Sequence, residues 1–458
     1  ISELIDIANK YHLKTVASSD IFIYPKGQDP SKKWDLLDYS LNEFLTNFPE
    51  IDIITTRFGE NYSYYNNFFV GEGLDTKGIE EKFPKLIDFI HQIVNKKYNK
   101  IYMPRTWAVG NSNWGANTDR YNSVIDKVKA FDNIIFSVKN TRTDFWRYNL
   151  FNPVIGTGDK EQAMEFLCQD GYNFKNSIPY YDVIRMAKGP KEFGGQGGMK
   201  YGYKAGIRTA WGWLSADGWC GPYIKREEWL GANIYGFSRL TWDVDSDPLV
   251  LAKEWAAIEF EVESKSKVAE EIAEILMLSE DLILKSRYFK NHSIKKEGWL
   301  PSNNWIRDEL IGGGTNSNDK LSVGKSFPPG TIKSIFSSET IEEDILEKEE
   351  ALVIMNTMLS KFAEIKDQIP EKEKAIELYN TLLYGKYLIG TLRYYVSGMF
   401  RFYNGEYDKS VADLRMWKKY WDFYNNEIPK LPGTASLMLD GGMVDTCIEA
   451  MKFMNQSF

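Results

Sequence analysis

With 458 residues, 43% of them hydrophobic and 26% charged, the chain exceeds one average domain and has the composition of an ordinary soluble globular protein. Its net charge of −8 is dispersed, which argues against a nucleic-acid surface, because phosphate binding needs a concentrated basic field. The three cysteines (Cys168, Cys220, Cys447) are too scattered for a disulfide framework or zinc knuckle; the three histidines (His12, His91, His292) lie in no triad elbow or zinc-peptidase motif; and no run of 18 apolar residues spans a membrane.

A helical pattern over Ile1 to Lys10 leads into six short apolar runs that predict strands: Lys14 to Ile23, Ile51 to Arg57, Lys100 to Arg105, Asn133 to Lys139, Ala163 to Cys168 and Ala205 to Trp211. Helix-period segments lie between them, over Asp35 to Asn47, Gly78 to Asn95 and Thr118 to Ala130. The second places Phe83, Leu86, Ile87, Ile90, Ile93 and Val94 on one face. Strand starts recur every roughly 30 to 50 residues, the interval of a strand, a crossover helix and a functional loop. The expected fold class is therefore α/β, a (β/α)8 TIM-type barrel. A closed barrel requires eight units and six are countable, so two strands are expected upstream of Ile1. An open doubly wound sheet is the alternative, although no Gly-x-Gly-x-x-Gly follows a strand.

From about Pro248 the pattern becomes helical and rich in Glu, Lys, Leu and Ile, over Leu249 to Ser264, Lys267 to Lys285, Glu342 to Gln368 and Glu371 to Tyr403. Two domains are expected, a barrel portion over 1–245 and an all-α carboxyl-terminal domain over 246–458. The stretch Ile311-Gly312-Gly313-Gly314-Thr315-Asn316-Ser317-Asn318 reads as a long loop, lacking the lysine and helix of a phosphate cradle.

Chemistry is expected just past the strands, where parallel α/β folds build their active sites. Glu60, in Arg57-Phe58-Gly59-Glu60-Asn61, lies among aromatic residues that would desolvate its carboxyl and suit it to donate a proton. Asp144 has Lys139 and Arg142 nearby to keep it ionised, as a base requires. Glu165 and Asp170 flank a further strand end. Paired carboxyl groups of this kind are the machinery of glycosidic cleavage. The competing reading makes Glu60 and Asp144 solvated loop carboxylates. Arg105 and Lys139 also sit at strand ends, fit to hold a carboxylate on the substrate, which hints at an acidic sugar. Arg105 is equally suited to pairing with a carboxylate of the barrel itself. Aromatic residues make up 15% of the chain; Trp107, Trp114, Trp211, Trp213 and Trp219 are candidates to shape sugar subsites, each also suited to the core.

These residues carry a resemblance. The order Arg57-Phe58-Gly59-Glu60, Arg105-Thr106-Trp107, Lys139-Asn140 to Asp144-Phe145, Met164-Glu165-Phe166 to Tyr172, and the segment Gly231 to Trp242 followed by Ala252-Lys253-Glu254-Trp255, resembles glycoside hydrolase family 67, the α-glucuronidases. The likeness covers most of residues 12 to 260 and, more loosely, the helical remainder. It implies a small amino-terminal β-domain and a (β/α)8 barrel, of which strands 3 to 8 lie in this chain, then a helical domain. It also implies inverting removal of (4-O-methyl)glucuronic acid from xylooligosaccharide ends.

Carried over by position, Glu60 matches the general acid, Asp144 one of the carboxylates that activate water, and Arg105 and Lys139 the residues that hold the uronate. The second base falls at Gly171, which leaves Asp170 as a shifted stand-in and Glu165 as the aligned neighbour. A family lysine becomes Thr56, with Arg57 beside it as a substrate-binding candidate. An upstream segment is expected to complete the barrel, because six strands would expose two sheet edges. The resemblance implies an oligosaccharide substrate, and the chemistry requires no metal or organic cofactor. A homodimer through the helical domain is a further expectation. The sequence does not decide between cytoplasm and secretion. Two rivals remain: a catalytically degenerate carbohydrate-binding or scaffold protein, and a retaining glycosidase for a neutral or amino sugar.

Overall fold

The computed structural model describes residues 1–20, 29–57, 78–107, 114–142, 145, 151–169, 173–190, 194–214, 224–289, 340–435 and 443–458. The chain divides into two compact units. The first comprises Ile1–Asp144, Leu150–Phe166 and Lys188–Trp211; the second comprises Phe145–Asn149, Leu167–Ala187 and Gly212–Phe458.

Six strands form one sheet in the order of the sequence: β1 (Val16–Asp20), β2 (Ile53–Arg57), β3 (Ile101–Arg105), β4 (Phe136–Lys139), β5 (Gln162–Leu167) and β6 (Thr209–Trp213). Each pair from β1–β2 to β4–β5 is parallel. A doubly wound sheet reverses its strand order at a switch point. This sheet does not, which removes the open-sheet alternative and leaves part of an α/β barrel arrangement with a helical region after it. Every residue of β4 and β5 is buried, as expected of parallel strands covered on both faces.

Helices cover the sheet of the first unit. In α1 (Ser2–Lys10) only Ile5 is buried, whereas α2 (Lys33–Asn47) buries Leu37 and Leu45. The helix α3 (Ile79–His91) continues as a π-helical stretch over Gln92–Lys97, and its apolar face of Phe83, Leu86, Ile87, Ile90, Ile93 and Val94 is buried as the periodicity requires. The next helix, α4 (Thr118–Ile125), is shorter than its sequence pattern. The carboxylate of Asp88 accepts hydrogen bonds from the backbone N–H groups of Lys129 and Ala130 at 3.0 and 2.9 Å, so a side chain satisfies the donors that a longer helix would have used.

In the second unit α5 (Val183–Lys188) is followed by α7 (Glu228–Trp242), α8 (Pro248–Glu259), α9 (Lys267–Arg287), α10 (Ile341–Ile365), α11 (Lys372–Tyr403), α12 (Tyr407–Asn426) and α13 (Met443–Phe453); α6 (Met199–Lys204) belongs to the first unit. Two starts are capped as the sequence allows. Asp247 accepts from the N–H groups of Leu249 and Val250 ahead of Pro248, and Ser266 accepts from Ala269. The helices α8 to α12 pack each on the next. Close approach of α12 to α11 depends on Gly390, where an added Cβ would meet the Tyr420 ring at 2.2 Å.

Within α7, Asn233 ties three segments of the unit together. Its amide donates to the carbonyls of Cys168 (3.0 Å) and Tyr180 (2.8 Å), and its oxygen accepts from the N–H of Asp182 (2.9 Å). On the same helix Gly236 leaves room for Val183, which a Cβ would meet at 2.3 Å. Within the Gly231 to Trp242 motif, Asn233 and Gly236 thus serve packing.

Candidate functional site

The register of the sheet sets the candidate residues side by side. Arg57 on β2 is opposite Arg105 on β3, Arg105 is opposite Ser137 on β4, and Lys139 at the end of β4 is opposite Glu165 on β5. Side chains of in-register parallel neighbours project to the same face, so these carboxyl ends of strands gather cations in one row.

Arg105 and Glu165 form a buried two-point pair. Arg105 Nε donates to Glu165 Oε2 at 2.7 Å and Nη2 donates to Oε1 at 2.5 Å, with the two residues 5% and 0% exposed. This planar fork fixes the guanidinium more firmly than a single contact would. The network continues sideways. The Ser137 hydroxyl donates to Glu165 Oε2 at 3.4 Å and accepts from the indole N–H of Trp211 at 2.8 Å.

Lys139, also buried, holds its ammonium 3.6 Å from the centroid of the Trp107 ring, a cation–π contact that offsets part of its desolvation. Trp107 is held by the residue before it. The Thr106 N–H and hydroxyl both donate to the Ser137 carbonyl at 2.9 Å.

Behind Thr106 stands Gly115, in the short helical turn Trp114–Ala116. A Cβ there would lie 2.1 Å from the Thr106 carbonyl oxygen and 2.6 Å from its carbon, and backbone on both sides cannot yield. Gly115→Ala is therefore expected to displace the Thr106-Trp107 segment and cost about 2–4 kcal/mol. Urea unfolding checks the cost, and quenching of tryptophan fluorescence reads the displacement; an unchanged midpoint would overturn it.

Of the residues the sequence nominated, Arg57, Arg105, Trp107, Lys139, Glu165 and Trp211 are brought together by adjacent strand ends of the first unit. Half-buried Trp213 ends β6 and falls in the second unit. Glu60, Asp144, Asp170 and Trp219 lie outside the described residues, as do Gly171 and the glycine-rich stretch at 311–318. For Trp114, which was suited to either role, the structure selects the core. It is fully buried against Phe83 and Tyr121, with ring centroids at 5.5 and 6.0 Å, and is a core residue rather than a subsite wall.

Sequence reasoning passed over Asn140 and Thr141, which follow Lys139. Asn140 Oδ1 and Thr141 Oγ1 are buried and have no hydrogen-bond partner among the described residues. Buried polar atoms are nearly always satisfied, so a water or another hydrogen-bonding group is expected to complete the bonding there. A polar pair straight after a strand-end lysine was the available signal. No group of three or more His, Cys, Asp or Glu among the described residues is placed to hold a metal. No described helix is long and apolar enough to cross a membrane.

Residues 227–295 match the family model described as "Glycosyl hydrolase family 67 C-terminus". The match covers α7, α8 and α9 and bears out the resemblance to family 67 or a divergent relative of it, supporting a function of the glycosidase type. No curated protein matches the chain. Fifteen chains of solved structures match it. One, titled "Structure of CpGH84B", is 11% identical, with 98% of this chain and 73% of that chain covered and a TM-score of 0.31, a likeness too slight to carry an argument.

Proposed function

We propose that this chain is an α-glucuronidase-like glycoside hydrolase that removes a terminal uronic acid from an oligosaccharide, such as a xylan fragment, with inversion on a (β/α)8 barrel. Glu60 protonates the leaving oxygen and Asp144 activates water from the opposite face, with Asp170 as the second carboxylate. The observation that supports this best is the pair of buried cations, Arg105 and Lys139, at the carboxyl ends of adjacent strands beside Trp107 and Trp211. Cations held at strand ends beside aromatic rings are the groups that an anionic sugar would meet. In this reading Lys139 meets the uronate carboxylate as a point charge, Arg105 presents a fixed guanidinium edge, and Asn140 takes a sugar hydroxyl. Arg57 lies at the end of β2, beside β3.

Glu165 takes a different part from the base duty that its position in the family order suggested. Arg105 engages both of its oxygens, so it acts as a positioning residue for the guanidinium.

That engagement also favours a second reading, a carbohydrate-binding protein on the same fold that has lost catalysis. With Gly171 at the position of the second base and Glu165 committed to Arg105, only Asp170 is left to complete the pair.

The deciding experiment measures free uronic acid released from uronate-capped oligosaccharides. Wild type is expected to release it, and Glu60→Gln to lower the rate at least about 1,000-fold for activated-acid chemistry of this kind. Arg105→Ala and Lys139→Ala should raise KM for capped substrates. Binding without release by wild type would favour the second reading. Release of a neutral or amino sugar in place of uronic acid, unchanged in both cation variants, would point to a retaining enzyme for such a sugar.

A further inference from the structure

Ser137 on β4 stands between the two ends of the Arg105–Glu165 pair. Arg105 lies on β3 and Glu165 on β5, so the fork must cross β4, a span of two strand spacings or about 10 Å. The register sets Ser137 beside Arg105 on one side and Ala163 on the other, and the small side chains of Ser137 and Ala163 leave that path open.

Small size alone would be met by alanine. The hydroxyl adds a connection across four strands. An indole N–H on β6 can only donate and an ionised carboxylate can only accept, which leaves the serine oxygen between them one arrangement. It accepts from Trp211 Nε1 at 2.8 Å and gives its own hydrogen to Glu165 Oε2 at 3.4 Å, and Glu165 in turn accepts both donors of Arg105. Ser137 is 0% exposed, so bulk water offers no substitute for either bond. Trp211 is only half-buried, so a ring that keeps exposed surface is tied to a cation by a wholly buried chain. The backbone of the same residue serves the other cation. The Ser137 carbonyl accepts both donors of Thr106, the residue before Trp107, and the Lys139 ammonium sits over the Trp107 ring.

We infer that Ser137 is a positioning residue of the candidate site, whose hydroxyl holds the Trp211 ring and the Arg105 guanidinium in one arrangement that an anionic sugar meets as a unit. The inference rests on the uronate reading of Arg105 and extends it to a residue that reaches the sugar only through others. A residue serving packing alone would tolerate alanine, which is nearly its size.

The test combines isothermal titration of the full chain with glucuronate and hydrogen exchange of the Trp211 indole N–H, followed by nuclear magnetic resonance. Ser137→Ala is expected to weaken glucuronate binding at least about fivefold and to speed the indole exchange by a similar factor. Trp211→Phe, which keeps a ring and drops the N–H, should weaken binding comparably. The double variant should bind no worse than the weaker single, because both changes break the same chain. Should Ser137→Ala unfold, as judged by circular dichroism, the Trp211→Phe titration decides, and unchanged affinity there overturns the inference. Wild-type affinity retained in Ser137→Ala, or losses that add in the double variant, would overturn it while the uronate reading stands. No glucuronate binding by wild type would sink the uronate reading instead, and the indole exchange then decides the positioning role: faster exchange in Ser137→Ala upholds it, and unchanged exchange overturns it.

Discussion

Arg105→Met is expected to destabilise the first unit by about 3–5 kcal/mol, while the double change Arg105→Met with Glu165→Leu recovers most of that loss. Taking one partner from a buried ion pair strands the other charge without water, whereas replacing both by apolar groups of similar volume removes the desolvation penalty along with the attraction. Glu165 is fully buried and has both oxygens on Arg105, so the stranded carboxylate has little relief, with only the 3.4 Å contact from Ser137 alongside. Urea unfolding of the two singles and the double, followed by far-ultraviolet circular dichroism, measures the cycle. Equal losses in single and double variants would show that shape rather than charge dominates the site. Activity should separate differently. All three variants lose the fixed guanidinium, so the double regains stability without regaining uronate release. Glu165→Gln, which keeps the shape, should raise KM more than it lowers kcat, as befits a residue acting through Arg105.

The sequence disclosed the parts of this site that depend on local pattern. Apolar runs located all six strands, and the residues following them fell at the strand ends because a strand's direction is set by the chain itself. Arg105, Lys139 and Glu165 were visible for that reason. Their pairing was not. Arg105 and Glu165 are 60 residues apart, and only the parallel register of β3, β4 and β5 brings them together. From sequence the barrel carboxylate and the substrate carboxylate were equal partners for the guanidinium.

Trp114 was left between subsite and core for a related reason. It sits in a polar stretch, Asn111-Ser112-Asn113-Trp114, yet the close approach of Gly115 to Thr106 carries it inward to Phe83 and Tyr121. The end of α4 was overcalled because periodicity does not reveal Asp88, 41 residues away, capturing the N–H of Lys129.

Stability of the second unit should vary with pH in a non-monotonic way, rising from pH 8 to about 9.5 and then falling steeply. Lys348 drives the rise. Burial pushes its ammonium from 10.5 down to about 8, against the opposing pull of Glu347 and Asp344 and with help from Lys285, although the group donates to the Lys285 carbonyl at 2.6 Å and to that of Tyr288. A lysine with a depressed folded value costs stability while the unfolded chain binds the proton more readily than the fold. Lys348 alone therefore adds about 2 kcal/mol to the second unit between pH 8 and 10, and the tyrosines of that unit take back about half of it by pH 10.

Buried tyrosines drive the fall. Burial raises Tyr384 to about 12 and lifts Tyr102, Tyr121, Tyr181 and Tyr424 further. Raised folded values give stability that is complete below pH 10 and lost above it, since the unfolded chain releases protons that the fold retains. At pH 11 each such tyrosine withdraws about 1.4 kcal/mol, so about 3 kcal/mol is lost from the first unit and about 4 kcal/mol from the second. Urea unfolding at pH 8, 9, 10 and 11 tests both limbs. Lys348→Met should flatten the first limb and leave the second, and Tyr384→Phe should soften the second by the share of one phenol. A rise that persists in Lys348→Met would assign it to another group, and stability unchanged at pH 11 would mean that the five phenols titrate in the fold as they do in the unfolded chain.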